Sequence, residues 1–330
     1  MKKSAFDIVL EDRKKLVERI IENMEKGYFF TKEGWNNLAV LPQNPVSNLY
    51  YKGGNRLKLM FEAIDNNYQD PRWFTFKQAQ EKGWKIKKGA KGILCEKWIF
   101  TKKEKEKDEK GNEKEVEVPL PKPIVNYFIV FNGEQVEGIP PYSKTTFTKD
   151  EILKTVNNFI KSSEVKIREI AQTEAYYSPS RDEIVLPLRE AFKSEEAFLR
   201  TTLHEMCHST GHSTRLNRNQ TGEFGTPSYA REELIAELGS LFTETSLGFK
   251  IEGEHFNDHS NYLKSWIGAL KDDYNELFRA CSEAEKASNY LLERYNTFEK
   301  TQEKINEIVK TLPKEKKRVI KKSKEDELEL

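Results

Sequence analysis

LHEMCHSTGHSTRLNRNQTGEFGTPSYAREELIAELGSLF, residues 203–242, is the stretch on which the reading of the chain turns. His204 and His208 stand four residues apart, so on a helix both project from one face and two neutral imidazole nitrogens can reach one Zn²⁺. Glu205 lies one position round from the first His, where a carboxylate can take a proton from a zinc-bound water and hand it to a leaving amine. Ser194 followed by Glu195 and Glu196 predicts the N-terminus of that helix, and Gly211 the left-handed residue that ends it. A third ligand has to come from elsewhere. On a second helix, in AREELIAE (residues 230–237), Glu233 and Glu237 share one face while Leu234, Leu238 and Leu241 take another. Glu233 is favoured on the metal, and Glu237 as the acceptor that orients a ligand His through its other ring N–H. His212, close behind His208, competes for the third position, and a solvated acidic face is the plain alternative for the two carboxylates. His255 and His259 are also four apart but bracket Phe256-Asn257-Asp258, with no carboxylate at the right place. They read as surface residues or as partners of a ligand.

DEIVLP (residues 182–187), the His-Glu-x-x-His helix, Arg215-Leu216-Asn217, Phe224-Gly225, Tyr229-Ala230 and EELIAELG (residues 232–239) together resemble the zincin-like domain of the ArdC-type antirestriction proteins of plasmids and conjugative elements. The resemblance implies a metallopeptidase-like domain placed after a domain that binds single-stranded DNA, a pairing also found in TraC-like plasmid primases. The family usually carries an aromatic residue just after the second ligand His. This chain has Ser209 there, a departure that bears on the pocket wall.

Length supports two domains, since 330 residues is about twice an ordinary domain. With 33% charged and 37% hydrophobic residues the chain can build real cores, and no apolar run is long enough to cross a bilayer. The first 27 residues are too charged for a signal peptide and instead give an amphipathic helix with Leu16, Val17, Ile20, Ile21 and Met24 on one stripe. Cys95, Cys207 and Cys281 are odd in number and far apart, which suits buried thiols in a reducing cytoplasm. A net charge of +1 excludes the heavily acidic protein that imitates a DNA duplex.

Charge is unevenly distributed all the same. Residues 49–98 interleave aromatics with bases in YYKGGNR (50–56), RWFTFK (72–77) and GWKIKKGAKG (83–92), and four of the five Trp fall in the first hundred residues. Flat rings stack on unpaired bases while cations follow phosphates, so a sequence-tolerant single-strand surface is expected here. Its candidate contacts are Tyr51, Lys52, Asn55 and Arg56 in the first segment, Arg72, Trp73 and Lys77 in the second, and Trp84, Lys85, Lys87, Lys88 and Lys91 in the third. Aromatics at such spacing are as readily explained by a core, and lysine runs by solvated turns. YYKGGNRLKLM, DPRWFTFKQAQEKGWKIKKGAKGILCEKW and YFIVFNGEQVEGIP resemble the ArdC N-terminal domain, which implies the single-strand function independently. Phe29, Phe30 and Trp35 stand where that family has a Trp-Pro-rich segment.

The expected fold class is α+β: a single-strand DNA-binding domain over 1–142, a mainly helical zincin-like domain with a small sheet over 143–300, and a charged helical or disordered tail over 301–330. Helices are expected at 57–64 and 76–82, and strands at 92–100 and 125–131. Between those strands, TKKEKEKDEKGNEKEVE (101–117) reads as a long, mobile, charged hairpin tip. Pro140-Pro141 marks the boundary, and Thr148 to Glu151 a capping box. Residues 165–171 and 174–186 read as strands, the second broken by Ser178-Pro179-Ser180-Arg181. As in zincins, Ala175 to Leu186 would be the edge strand that pairs with a peptide backbone. The partners expected are therefore single-stranded DNA and a protein substrate, with no membrane. Two function classes remain open: a zinc peptidase that also binds DNA, and a non-catalytic single-strand binder whose zincin domain is a metal-stabilised scaffold.

Overall fold

The computed structural model describes residues 3–26, 41–107, 113–143, 147–222, 226–248 and 260–311. His255, His259, the residues standing in for the Trp-Pro segment, the tip at 108–112 and the tail beyond 311 lie outside the described residues. In chain order the elements are α1 (Ala5–Glu25), β1 (Gln43–Asn44), β2 (Leu49–Tyr50), α2 (Gly53–Asp65), β3 (Trp73–Thr75), α3 (Phe76–Glu81), β4 (Lys85–Ile86), β5 (Ile93–Lys107), β6 (Glu113–Asn132) and β7 (Val136–Glu137). There follow α4 (Lys149–Ser162), β8 (Lys166–Ile170), β9 (Tyr176–Ser178), β10 (Glu183–Pro187), α5 (Glu195–Thr210), α6 (Pro227–Leu247), α7 (Ser260–Asp272) and α8 (Asn275–Thr311). Helices and small separate sheets make the protein α+β, as expected. No described helix is long and apolar enough to cross a membrane.

The chain forms two compact units, Met1–Thr146 with Arg218–Lys286, and Phe147–Asn217 with Ala287–Leu330. In the first, α1 begins in a Ser4–Asp7 capping box and buries the expected stripe of Leu16, Val17, Ile20, Ile21 and Met24. That stripe shares one core with Leu57, Met60 and Phe61 of α2, with Leu234, Ile235, Leu238 and Phe242 of α6, with Trp266 of α7, and with Leu277 and Cys281 of α8. A second cluster, Tyr51, Leu59, Trp73, Cys95 and Val130, lies against the sheet ordered β3-β6-β5.

The predicted loop at 101–117 is largely strand. β5 and β6 stay paired out to Lys107 opposite Glu113, with one irregularity between Ile99 and Thr101. Lys103 meets Glu115 at 2.9 Å and Lys105 meets Glu113 at 2.7 Å across the ladder. Backbone pairing supplies the order that a mostly charged sequence conceals, the only apolar alternation of the arm being Val116 and Val118 on its return strand.

In the second unit, β10 runs in the centre of a three-stranded sheet ordered β8-β10-β9, parallel to β8 and antiparallel to β9. Ile184, Val185 and Leu186 are fully buried, as a central strand requires. This corrects the expectation that 175–186 as a whole forms an edge: within that stretch β10 is central, and β9 alone lies at an edge of the sheet among the described residues. α4 opens with the Thr148–Glu151 capping box and packs on α5, which lies against β9 and β10.

Candidate metal centre

α5 starts at its Ser194 cap, whose hydroxyl accepts from the Ala197 amide at 3.2 Å, and carries Glu195 and Glu196 in the first turn. Its last two turns bring His204 and His208 together with their Nε2 atoms 3.1 Å apart. Two imidazoles bound to one tetrahedral Zn²⁺ at ~2.05 Å would hold those atoms roughly 3.3 Å apart, so the pair already has the spacing of co-ligands. Glu205, between them in sequence, is buried. Gly211 caps the helix, but at φ −74° it stays right-handed; the left-handed residue is Asn217 at φ 50°, in the turn that follows.

α6 starts at Thr226 with Pro227 in its first turn, and ends at Gly248 with φ 81°. It is buried over nearly its whole length, including Glu232, Glu233, Glu237 and Glu244. Carboxylates in such a setting need partners. Glu232 has a fork of them, accepting from Arg218 Nε at 2.9 Å and Nη2 at 2.7 Å and from Gln220 Nε2 at 3.1 Å. Trp266 Nε1 donates to the Ala230 carbonyl at 2.6 Å, fixing the first turn of the helix. From this helix Glu233 offers an oxygen that, with one nitrogen each of His204 and His208, forms a set whose members all lie within 4.8 Å of one another. Two neutral imidazoles and one carboxylate fit a divalent cation of borderline softness and leave a fourth tetrahedral position unfilled. Glu237 is buried on the same face as Glu233, one turn further on. His212 is not in the set; its Nδ1 lies 2.9 Å from the Thr214 hydroxyl and accepts from the Thr214 amide at 3.3 Å.

One feature near the helix end had no sequence signal beyond the motif Arg215-Leu216-Asn217. Arg215, nearly enclosed, donates from Nε to the Ser209 carbonyl at 2.7 Å, from Nη1 to Asp182 at 3.0 Å, and from Nη2 to Asp182 and to the Tyr177 hydroxyl, the last at 3.2 Å. A single guanidinium thus joins the end of α5 to the edge strand β9 and to the β9–β10 turn. It holds the Asp182 carboxyl below its usual range, while burial pushes the Tyr177 phenol up. Ser209 turns its hydroxyl back to the Met206 carbonyl at 2.7 Å and is buried.

The residues expected on DNA separate into two groups. Trp73 and Tyr51 are core residues, the Tyr51 hydroxyl donating to the Trp73 carbonyl at 3.0 Å. Asn55 is committed to the backbone of Glu96, at 2.8 and 2.9 Å. Arg56, 2% exposed, donates to the Phe242 carbonyl and to the hydroxyls of Thr245 and Ser246 at the end of α6; burial pushes its pKa down to about 10, against the opposing pull of Glu285. Arg72 grips Asp70 with two nitrogens and reaches the Pro140 carbonyl at 2.7 Å. Trp84 packs beside Phe74, Val136 and Ile86. These positions hold the fold together, which corrects the reading of Tyr51, Asn55, Arg56, Trp73 and Trp84 as surface contacts. Lys52, Lys77, Lys85, Lys87, Lys88 and Lys91 are exposed, as a phosphate-tracking role requires.

Both halves have known counterparts. Residues 154–283 match the zincin-like metallopeptidase family model, and residues 11–131 match the N-terminal domain of anti-restriction factor ArdC. The metal-free crystal structure of the antirestriction protein ArdC of plasmid R388 is similar at TM-score 0.67 and 31% identity, over 87% of this chain and 98% of that one. Its Mn(II)-bound structure gives 0.67 and 30%, over 86% and 97%. This chain belongs to the ArdC antirestriction family. It is also 35% identical over 288 residues to the DNA primase TraC of Escherichia coli, a match that covers 84% of this chain but only 19%, about a fifth, of the primase. An uncharacterized protein of Sinorhizobium fredii, y4eC, is 29% identical over 280 residues, 84% of this chain and 90% of that protein.

Proposed function

We propose that this chain, within its antirestriction family, binds single-stranded DNA through the first unit and holds one divalent cation, zinc, on His204, His208 and Glu233 as a peptidase centre. The observation that carries the metal reading is the convergence of two imidazole nitrogens and one carboxylate oxygen within 4.8 Å. The Mn(II)-bound state of the R388 relative supports a divalent ion at the family level. When bound, the ion supplies Lewis acidity, activating water and polarising a carbonyl. The protein's own groups do the rest. Glu205 takes the proton of the attacking water and returns it to the leaving amine. Glu237 accepts the second ring N–H of a ligand His and keeps that ring in one tautomer. β9 offers its free edge to an extended peptide, whose backbone it would pair. That the R388 relative keeps its fold without metal, and matches equally well in both states, counts against the metal acting only as a structural pillar.

Glu205→Gln tests the enzyme reading, because the amide matches the carboxylate in size but accepts no proton. The variant is expected to retain metal and single-strand binding while losing peptide hydrolysis altogether. If it protects transferred DNA in a conjugation assay as well as the unchanged protein does, protection belongs to DNA binding alone and the peptidase role is wrong.

A further inference from the structure

Beside two of the aromatic residues the sequence singled out, another ring close by in the chain faces solvent. Tyr51 turns into the core while Tyr50, the last residue of β2, is 54% exposed; Trp73 and Phe74 are buried while Phe76, at the start of α3, is 60% exposed. The two exposed rings are tied to one small platform. Tyr50 pairs with Gln43, which bridges to Arg72 and donates to the Pro71 carbonyl at 3.0 Å. Asn44, the next residue of β1, donates to Gln78 of α3 at 3.0 Å, and Gln78 belongs to the Thr75 cap on which Phe76 sits. The Arg72 guanidinium in turn lies 5.7 Å from the centre of the Tyr142 ring.

Charge decides what such rings would meet. From Arg72 to Lys91 the chain carries six exposed lysines, at 77, 82, 85, 87, 88 and 91, against the single acid Glu81. Lys77 approaches Glu81 only at 3.8 Å, with its side chain 85% exposed, and Lys52 is exposed beside the Tyr50 strand. Exposed rings set among lysines that outnumber the acids of the same segment suit a polyanion with free flat faces. A competing aromatic cluster, Trp98 stacked on Phe100 at 6.5 Å with Phe6 edge-on at 6.3 Å, adjoins the arm 101–117, whose six lysines face seven acids. That surface repels phosphate as much as it attracts it.

We infer that Tyr50 and Phe76 form the base-stacking platform for single-stranded DNA, with Lys52 and Lys77 as its phosphate contacts. The placement rests on the single-strand reading above and goes beyond it in naming the surface. Duplex, whose bases are already stacked, binds this surface more weakly. The test is a fluorescence anisotropy titration of the full chain with fluorescein-labelled oligothymidine at several salt concentrations, with a thermal melt of each variant to confirm folding. Tyr50→Ala with Phe76→Ala is expected to weaken binding by about tenfold or more. Lys52→Gln with Lys77→Gln is expected to flatten the salt dependence by about 1.4 in log–log slope, two contacts at roughly 0.7 each. Phe100→Ala leaves binding unchanged. Undiminished affinity in the two-ring variant, while the unchanged protein binds, overturns the placement and leaves the single-strand reading standing. Failure of the unchanged protein to bind oligothymidine overturns both. Reduced self-association of the two-ring variant, with DNA affinity intact, would make the patch a contact between copies and overturn the placement too.

Discussion

Asp182 sits at φ 49° in the β9–β10 turn and is the anion that Arg215 needs. Hydrogen bonding from Arg215 is the main cause that lowers its pKa, with burial opposing. A carboxylate depressed in the folded state adds stability above its unfolded pKa and loses it as pH falls through the folded value. Asp182→Asn, which tolerates the left-handed turn but carries no charge, is therefore expected to melt lower than the unchanged protein at neutral pH. The gap should close progressively below the ordinary carboxyl value of 3.8. Thermal melts across that range check it, and a gap that does not change with pH would contradict the charge-based role. The His204–His208 pair was legible in the sequence because helical spacing alone fixes it. Arg215 and Asp182 meet across 33 residues of chain through a turn, and no local pattern announces them.

At the scale of elements, the caps and the amphipathic stripes were legible because each depends on residues within a turn or two. Strand order was not: β10 and β9 read as one interrupted strand, and only pairing with β8 shows which of them is central. The arm of β5 and β6 was hidden for another reason, most of its positions being lysine or glutamate, with polar and apolar alternating only at Val116 and Val118. No described side chain of 101–106 or 113–119 is buried, and ion pairs this exposed add little. Replacing residues 101–119 by an Asn-Gly turn is accordingly expected to leave the melting temperature almost unaltered. A calorimetric fall of more than about 5 °C would mean that the arm packs on something it supports.

For the whole molecule, the consequential fact is that α6, which bears Glu233, has its core with α1 and α2 inside the first unit. Proline-rich punctuation near 140 suggests a domain boundary in sequence, but a core built from distant stretches of the chain leaves no trace there; Arg56, bound to the Phe242 carbonyl 186 residues further on, is one such link. Residues 1–142 made alone would expose Leu16, Val17, Ile20, Leu57 and Phe61, all of which pack in that shared core. Such a fragment is expected to lack native packing and to aggregate, which near-UV circular dichroism and sedimentation would detect. A monomeric fragment with a sharp cooperative melt would contradict the shared core.

The central claim is the ligand set, and metal content decides it most directly. Zinc measured by mass spectrometry on purified single variants is expected to fall from one equivalent to near zero in His204→Ala, His208→Ala and Glu233→Ala, and to stay at one equivalent in His212→Ala. If His212→Ala loses the metal while Glu233→Ala keeps it, the proposed centre is wrong.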